Sequence, residues 1–306
     1  MAYQTGTANS MAILKTALET FCTTYGWTLT GGVLYKGNSY VALSLPDEYR
    51  LQINAAASAD FLTDPCPYAF CLYVTDSYPV TYHFFLHENP DTVVCVIHYD
   101  TTRIQVMMFG DMVKINETAF DGGNFFYASR SELGYTKIPA LYYITDSNIA
   151  STYFYDISSH KATMFMPWVS KFPYTSPYKG IRVNIDGNVW DSVGNCVLTD
   201  SAISSYHRSP NQWDSQSHLI PMQLQYAMAD SLWGYLGYIE HIRLVRVTNY
   251  NIGDVLEITP DKWKIFPWVQ KETTYPDGRT GSSQFDEQAA LQASGTLGFA
   301  VRYDGA

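Results

Sequence analysis

Three histidines, His83, His87 and His98, are the best candidates for metal ligands in this sequence. If their segment forms paired strands, all three side chains lie on one face of the sheet, and imidazoles grouped in this way are common metal ligands. His83 and His87 are, however, separated along one strand by roughly 13 Å, which is too far for them to share an ion. The pattern therefore favours solvent-exposed or interface histidines, and we predict no metal site.

Carboxylate groups near aromatic residues suggest a second chemistry, the acid/base pair of glycoside hydrolases, in which two acids flank the scissile bond. The candidates are Asp111, Asp121, Asp186 and Asp191. The segment Asp186-Gly187-Asn188 is typical of a type I′ hairpin turn between a strand over Ile181–Ile185 and a strand at Val189-Trp190. Aspartates in such turns are structural far more often than catalytic, so this interpretation is the weaker one.

Sequence motifs for other enzyme classes are missing. The sequence contains no Gly-x-Ser-x-Gly elbow, no phosphate-binding loop, no dinucleotide-binding fingerprint and no His-Glu-x-x-His motif. The cysteines are odd in number and irregular in spacing, which argues against a disulfide framework and favours small apolar residues in a reduced protein. They are Cys22, Cys66, Cys71, Cys95 and Cys196. We predict that the chain is not an enzyme and needs no cofactor.

Composition narrows the class of protein further. The 306 residues include 25 Tyr, 15 Phe and 7 Trp but only 19 Lys and Arg, a bias that favours β-structure. Because the net charge is −10, we predict no dominant or sequence-specific nucleic-acid binding. No apolar run approaches the roughly 20 residues of a membrane span, and the N-terminus does not resemble a secretory signal. We therefore expect synthesis in a cytoplasm and no membrane insertion.

Dense aromatic clusters in the middle of the chain are candidates for protein–protein contact, because aromatic side chains bury a large area and are enriched at interfaces. The interface candidates are Tyr142, Tyr143, Tyr153, Phe154, Tyr155, Phe165 and Trp168. A core with two covered faces explains the same clusters equally well. Three tryptophans, Trp168, Trp190 and Trp213, are candidates for stacking on a glycan.

The N-terminal segment predicts one amphipathic helix followed by hairpins. Ser10 can cap the helix, and apolar residues then recur at spacings of three and four, at Met11, Leu14, Leu18, Phe21 and Tyr25. Gly26 is placed to end the helix in a left-handed conformation. After it, Gly31-Gly32 separates strands predicted at Thr28–Thr30 and Val33–Lys36, a two-residue hairpin signal.

The clearest sheet is a three-stranded meander over residues 81–109. We predict strands at Thr81–His87, Thr92–Tyr99 and Thr102–Phe109, with His87 paired to Thr92 and Tyr99 to Thr102. This register places nine apolar side chains on one face, because strand side chains alternate. They are Tyr82, Phe84, Leu86, Val93, Cys95, Ile97, Ile104, Val106 and Met108. The opposite face is still half apolar, so we expect another element to cover it.

These signals predict a mainly β (α+β) fold of antiparallel sheets, similar to a β-sandwich, with one N-terminal amphipathic helix. We divide the chain into residues 1–55, the helix plus a small antiparallel sheet, and residues 56–306, a main β-rich domain with long aromatic loops.

Several short motifs in a fixed order resemble a family of virion structural proteins of tailed bacteriophages. The chain begins with Thr5-Gly6-Thr7-Ala8, one helix and Tyr25-Gly26-Trp27-Thr28, and its middle contains Phe109-Gly110 and Gly122-Gly123 with aromatics. In the C-terminal third, Leu236-Gly237-Tyr238, Gly253-Asp254 and Phe266-Pro267 follow in the order that family members show.

This resemblance implies a structural component of the virion, made in the bacterial host cytoplasm and located in the tail (baseplate or tail tip) or in the neck or collar. It implies that the protein assembles as a homo-oligomer and contacts other tail or neck proteins. A ring is favoured because the chain lacks the long repetitive or coiled-coil segments of a fibre. Carbohydrate or receptor binding, as a fibre-adaptor module, remains an alternative, and glycan hydrolysis is a less favoured one.

Overall fold

The structure is a computed structural model that describes residues 1–61, 63, 65–67, 69–74, 78–98, 104–118, 120–131, 181–185, 189–193, 219–227, 233–247, 250–258, 260–267 and 297–305. Within these ranges the chain is mainly β, with three antiparallel sheets and one N-terminal helix, α1 (Met11–Thr24). The predicted fold class is therefore confirmed. In chain order the strands are β1 (Ala2–Ala8), β2 (Thr28–Thr30), β3 (Val33–Lys36), β4 (Ser39–Asp47), β5 (Arg50–Ala56), β6 (Phe70–Tyr73), β7 (Val80–His87), β8 (Thr92–His98), β9 (Ile104–Asp111), β10 (Val113–Lys114), β11 (Gly122–Ala128), β12 (Arg130–Ser131), β13 (Ile181–Ile185), β14 (Val189–Val193), β15 (Ile220–Ala227), β16 (Trp233–Arg246), β17 (Val255–Ile258), β18 (Asp261–Pro267) and β19 (Leu297–Arg302).

Helix α1 begins as the sequence predicts. Ser10 is extended at the N-cap, and its hydroxyl oxygen accepts a hydrogen bond of 3.2 Å from the Ile13 N–H. The buried side chains of the helix are Met11, Leu14, Leu18, Phe21 and Cys22. The inclusion of Tyr25 in this stripe was wrong: it is the C-cap residue and is 43% exposed, because the helix has ended and Gly26, at φ +91°, redirects the chain.

The N-cap of α1 gives a first testable prediction. Replacing Ser10 with alanine removes the acceptor for the Ile13 N–H, so we expect the free energy of unfolding to fall by about 1 kcal/mol. Urea denaturation measures this loss. The control is Thr16→Ala, since the Thr16 hydroxyl donates to the Ala12 carbonyl inside the helix and its loss should be nearly neutral. Equal losses for the two variants would contradict a capping role for Ser10.

The N-terminal sheet has the strand order β12-β6-β5-β4-β3-β2. Thr30 pairs with Val33, which confirms the predicted hairpin at Gly31-Gly32. Sheet membership crosses residue 55, since β6 and β12 come from the second predicted unit and complete this sheet. The division of the chain at that position stays a prediction.

The central sheet has the order β1-β7-β8-β9-β11-β13-β14. Its first strand, β1, was not predicted and pairs with β7 along its whole length, from Ala2 opposite Leu86 to Ala8 opposite Val80. The strands β13 and β14 confirm the predicted pair around residues 186–188, with Ile185 opposite Val189. The turn itself lies outside the described residues.

The predicted register of the meander was right for its first pair and wrong for its second. His87 pairs with Thr92 as expected, but β8 and β9 are shifted by one residue, with Val93 opposite Phe109 and His98 opposite Ile104. A shift of one residue moves every side chain of a strand to the other face. The face that carries Val93 therefore includes Met107 and Phe109, not Ile104, Val106 and Met108.

The C-terminal sheet has the order β10-β16-β19-β18-β17, with β15 paired to β16. It lies against the face of the central sheet that we expected to be covered. Their shared core includes Phe85, Val94 and Ile104 from the central sheet and Ile242 and Phe299 from the C-terminal sheet. The opposite face of the central sheet packs on α1 and the N-terminal sheet. The central sheet is thus the middle layer of the fold.

Two further predictions concern cysteines and membranes. Four cysteines, Cys22, Cys66, Cys71 and Cys95, are buried, as predicted for small apolar residues, and Cys196 lies outside the described residues. Among the helices that the structure describes, none has the length and apolar character to cross a membrane.

Candidate functional site

A group of four histidines lies between the central and C-terminal sheets in the part of the chain that the structure describes. We call it the histidine layer, and it consists of His83, His87, His98 and His241. Alternation along β7 directs His83 and His87 to the face that the C-terminal sheet covers, and pairing with β8 adds His98. His241 comes from β16. His83 is 9% exposed, His87 2% and His241 4%, so of the two predicted alternatives, solvent-exposed or interface histidines, the first was wrong for His83 and His87.

The first pair in this layer is formed by His83 and His98. Their rings are stacked with centroids 5.4 Å apart and planes 12° from parallel. The His83 Nδ1 shares a hydrogen bond of 2.8 Å with the Tyr3 hydroxyl, which places the N-terminal strand against the same ring. The Phe266 ring, from β18, lies 5.3 Å from the His83 ring. His83 thus contacts three strands besides its own.

The second pair, His87 and His241, crosses from one sheet to the other. Their rings are stacked at 4.3 Å and 9° from parallel. The His87 Nε2 lies 2.9 Å from the Arg302 carbonyl oxygen, which can only accept, so Nε2 carries the proton and donates it. Among the described residues, neither His87 Nδ1 nor either ring nitrogen of His241 has a hydrogen-bond partner. Both rings are therefore suited to the neutral form.

Burial, and to a smaller extent nearby charged groups, oppose protonation of His83, His87 and His241. Burial, followed by smaller effects of His98 and Lys264, lowers the pKa of His83 to about 3. Burial and the stacked His241 ring lower the pKa of His87, although its hydrogen bond to the Arg302 carbonyl raises it in part. Burial and the guanidinium of Arg302 lower the pKa of His241. All three imidazoles are neutral at pH 7.

Metal binding has no support from this geometry. The two rings of each pair stack face to face, an arrangement that does not direct nitrogens from both rings to one point. In the described part of the chain, no three His, Cys, Asp or Glu side chains are grouped so that they could hold a metal ion.

Of the four carboxylates named as possible acid/base groups, the structure describes the side chains of Asp111 and Asp121. Asp111, at the end of β9, is half-buried, whereas Asp121 is exposed. Asp186 lies outside the described residues, and of Asp191 only the backbone in β14 is described. The carboxylate that acts on Asp111 is Asp91, which sequence reasoning did not single out. Asp91 also forms a 2.8 Å ion pair with Lys36, so this group joins the N-terminal and central sheets.

Asp111 gives a testable pH dependence. Burial and the charge of Asp91 raise its pKa from 3.8 to about 6, and Lys114 opposes this rise. A raised pKa means that the folded state binds more protons than the unfolded state between about pH 4 and 6. The ionised carboxylate is therefore destabilising above pH 6, and the stability that this group contributes rises as the pH falls toward 4.

Replacing Asp111 with asparagine is expected to increase the free energy of unfolding at pH 8 by about 1–2 kcal/mol. The gain should shrink at pH 4.5, where the carboxyl group of the unmodified protein is protonated. Urea denaturation at the two pH values measures both. Asp121→Asn, at an exposed position, should change neither value. A loss of stability at pH 8 for Asp111→Asn would mean that the electrostatic attraction of Lys114 outweighs the cost of burial.

Most of the aromatic candidates lie outside the residues that the structure describes. Tyr142, Tyr143, Tyr153, Phe154, Tyr155, Phe165 and Trp168 lie outside the described residues, as does Trp213. Trp190 lies in β14, opposite Asn184, and only its backbone position is described. Their roles as interface or glycan-binding residues stay predictions.

Motif residues from distant parts of the sequence meet in the described fold. Trp27, from the Gly-Trp-Thr motif, is 3% exposed and packs edge-on against Phe109 of the Phe-Gly motif, with centroids 5.2 Å apart. A second meeting point is the segment Met112–Lys114. A Cβ added at Gly123 would lie 2.8 Å from the Lys114 Cε, and one at Gly237 would lie 2.8 Å from the Met112 Cε and overlap the Val113 carbonyl oxygen.

Sequence reasoning missed His241, which completes the histidine layer, and Lys264 and Arg302, which act on its rings. Each is a single residue on a C-terminal strand, and no spacing links it to the histidines of β7 and β8. Only the pairing of the sheets brings them together.

Neither the protein-family models nor the curated proteins that were compared with this sequence include a match.

Proposed function

We propose that this chain is a structural component of a tailed-phage virion, located in the tail (baseplate or tail tip) or in the neck or collar. It would act by assembling with identical copies and by contacting adjacent virion proteins. The observation that carries the proposal is the position of the motif residues. Trp27, Phe109, Gly123 and Gly237 lie where layers of the fold meet, which is the role expected of a sequence signature that specifies a scaffold.

The packing at these points supports a structural role. The Trp27–Phe109 contact joins the segment after α1 to the central sheet, and Gly123 and Gly237 allow β11 and β16 to approach Met112–Lys114. Residues selected for close packing tolerate few substitutions, whatever the surface of the protein binds.

Light scattering on the purified full-length protein tests the proposal. We expect a mass that is a discrete multiple of the chain mass, or a stable complex with a tail or neck protein when virion extract is added. A double variant, Tyr142→Ser with Tyr143→Ser, should reduce assembly if the aromatic segment mediates contact. The control is Ile115→Ser, at a position that is 57% exposed and lies outside the aromatic clusters.

A monomer that binds no virion protein at any concentration would contradict the proposal. Binding to a glycan array that is lost on Trp168→Ala would instead favour the receptor-binding alternative.

A further inference from the structure

We propose that the contact between the central and C-terminal sheets is an acid-sensitive switch, closed while the histidine layer is neutral and opened when it is protonated. The proposal rests on the described fold alone and does not depend on a virion role. Its basis is the position of two stacked histidine pairs in one buried contact that joins β1, β7, β8, β16, β18 and β19.

The stacked pair His87–His241 is the part of this contact that resists protonation most clearly. A proton added to His87 must go to Nδ1, because Nε2 already donates to the Arg302 carbonyl. Nδ1 is buried and has no acceptor among the described residues, and the ring stacks on a second imidazole at 4.3 Å. Charging either ring thus places an unsatisfied cation against another ring, which costs free energy only while the sheets are closed.

The charged and titratable groups that face the pair from the elements around it make its protonation harder. Arg302 on β19 and Arg243 on β16 both act against a charge on His241, and the N-terminal amine and Arg302 act against one on His87. One carboxylate, Asp304, acts in the opposite direction on His241. The Pro90 carbonyl also favours the charged ring, without hydrogen-bond geometry. The balance around the pair is cationic.

Two groups that face His83 also oppose its protonation. His98 lies on β8, and Lys264 on β18 is held above the rings of Tyr3 and Tyr303 at 5.2 and 4.7 Å. Both act against a charge on His83. The Tyr3 hydroxyl is the neutral partner of this ring. Lowering the pH therefore destabilises the contact at both stacked histidine pairs.

The direction of the pH effect follows from this arrangement. The histidine pKa values are lowered from 6.5 in the closed state, so the opened state binds more protons as the pH falls below about 6.5. The closed state is fully stable above that pH and loses stability below it. Asp111, between the N-terminal and central sheets, has a raised pKa and the opposite dependence. Acid should thus loosen one side of the central sheet and not the other.

Hydrogen exchange of the full-length protein, followed by mass spectrometry from pH 8 to pH 4.5 with rates corrected for intrinsic pH dependence, tests the switch. We expect protection in β16 and β19 to fall at a higher pH than protection in β3, β4 and β5. His241→Phe keeps a stacked ring that cannot be charged, so its opening midpoint should lie about half a pH unit or more below that of the unmodified protein. The control, Glu257→Gln, changes an exposed carboxylate of the same sheet and should leave the midpoint unchanged.

A second measurement does not depend on the variant folding. Histidine NMR signals of the unmodified protein should show at least two imidazoles that stay neutral down to the opening pH and are protonated together with it. The proposal is overturned if all histidines titrate near pH 6.5 while protection is unchanged, or if all three sheets lose protection at one pH. An unchanged midpoint for a folded His241→Phe variant would also overturn it.

Discussion

Replacing Gly237 with alanine is expected to lower the free energy of unfolding by about 4 kcal/mol or more, a large share of the total stability of a single domain. Gly237 lies in β16 at φ +147°, a conformation that L side chains rarely adopt. The added methyl group would overlap the Val113 carbonyl oxygen, which belongs to the backbone of β10 and cannot move aside as a flexible side chain could. Strain and overlap therefore act together.

The matched control for this prediction is Gly31→Ala. Gly31 also has a positive φ, +60°, but an added methyl group would meet no atom within 4 Å. Its substitution should therefore cost only the conformational term, about 1–2 kcal/mol. Urea denaturation of both variants, with soluble yield as a second readout, measures the difference. Equal losses would show that β10 can withdraw from β16 at little cost, and the close approach would then not be essential to the fold.

The register error in the meander shows that sequence patterns do not determine the register of strands that are buried on both faces. A strand of the middle layer is covered on both faces, so either register buries apolar residues. One choice buries Ile104, Val106 and Met108 beside Val93, and the other, which the structure adopts, buries Met107 and Phe109 there. Alternation selects a register only when one face is polar. The first connection was predictable because His87 and Thr92 close a short turn that fixes the pairing.

Strand β1 was missed for a different reason. It contains Gly6 between two threonines, and its partner β7 begins about eighty residues later in the chain, so no local signal marks the pair. Gly6 has a role that only the tertiary structure reveals, because a Cβ there would lie 2.5 Å from the Tyr82 hydroxyl. The histidine layer was only partly predictable for the same reason. Three of its rings lie on β7 and β8, whose pairing follows from a short turn, whereas His241 lies on β16, far away in the sequence.

The second large prediction concerns Gln105, which the observed register places on a buried face of the central sheet. This side chain is 2% exposed on the face of the central sheet that packs against the N-terminal sheet. Its amide oxygen accepts a hydrogen bond of 2.8 Å from the Tyr73 N–H, and its amide nitrogen donates one of 2.6 Å to the Tyr73 carbonyl. The amide thereby acts on β6 as the backbone of a neighbouring strand would, and it joins two sheets.

Replacing Gln105 with methionine keeps the length of the side chain and removes both hydrogen bonds. We expect the free energy of unfolding to fall by about 2–4 kcal/mol, because the Tyr73 N–H and carbonyl lose both partners beside position 105, which is 2% exposed and leaves little access for water. Chemical denaturation measures the loss, and hydrogen exchange should show that protection of the Tyr73 N–H falls more than that of residues in β8.

The control is Gln52→Met, at a half-buried position on the neighbouring strand β5, opposite Cys71. That substitution should change the free energy of unfolding by less than about 0.5–1 kcal/mol, because water can reach this half-buried position and solvate the polar groups around it. If Gln105→Met proves as mild as Gln52→Met, the two sheets are joined by apolar packing alone. The hydrogen bonds of the buried Gln105 amide would then follow from the strand register without stabilising the contact between the sheets.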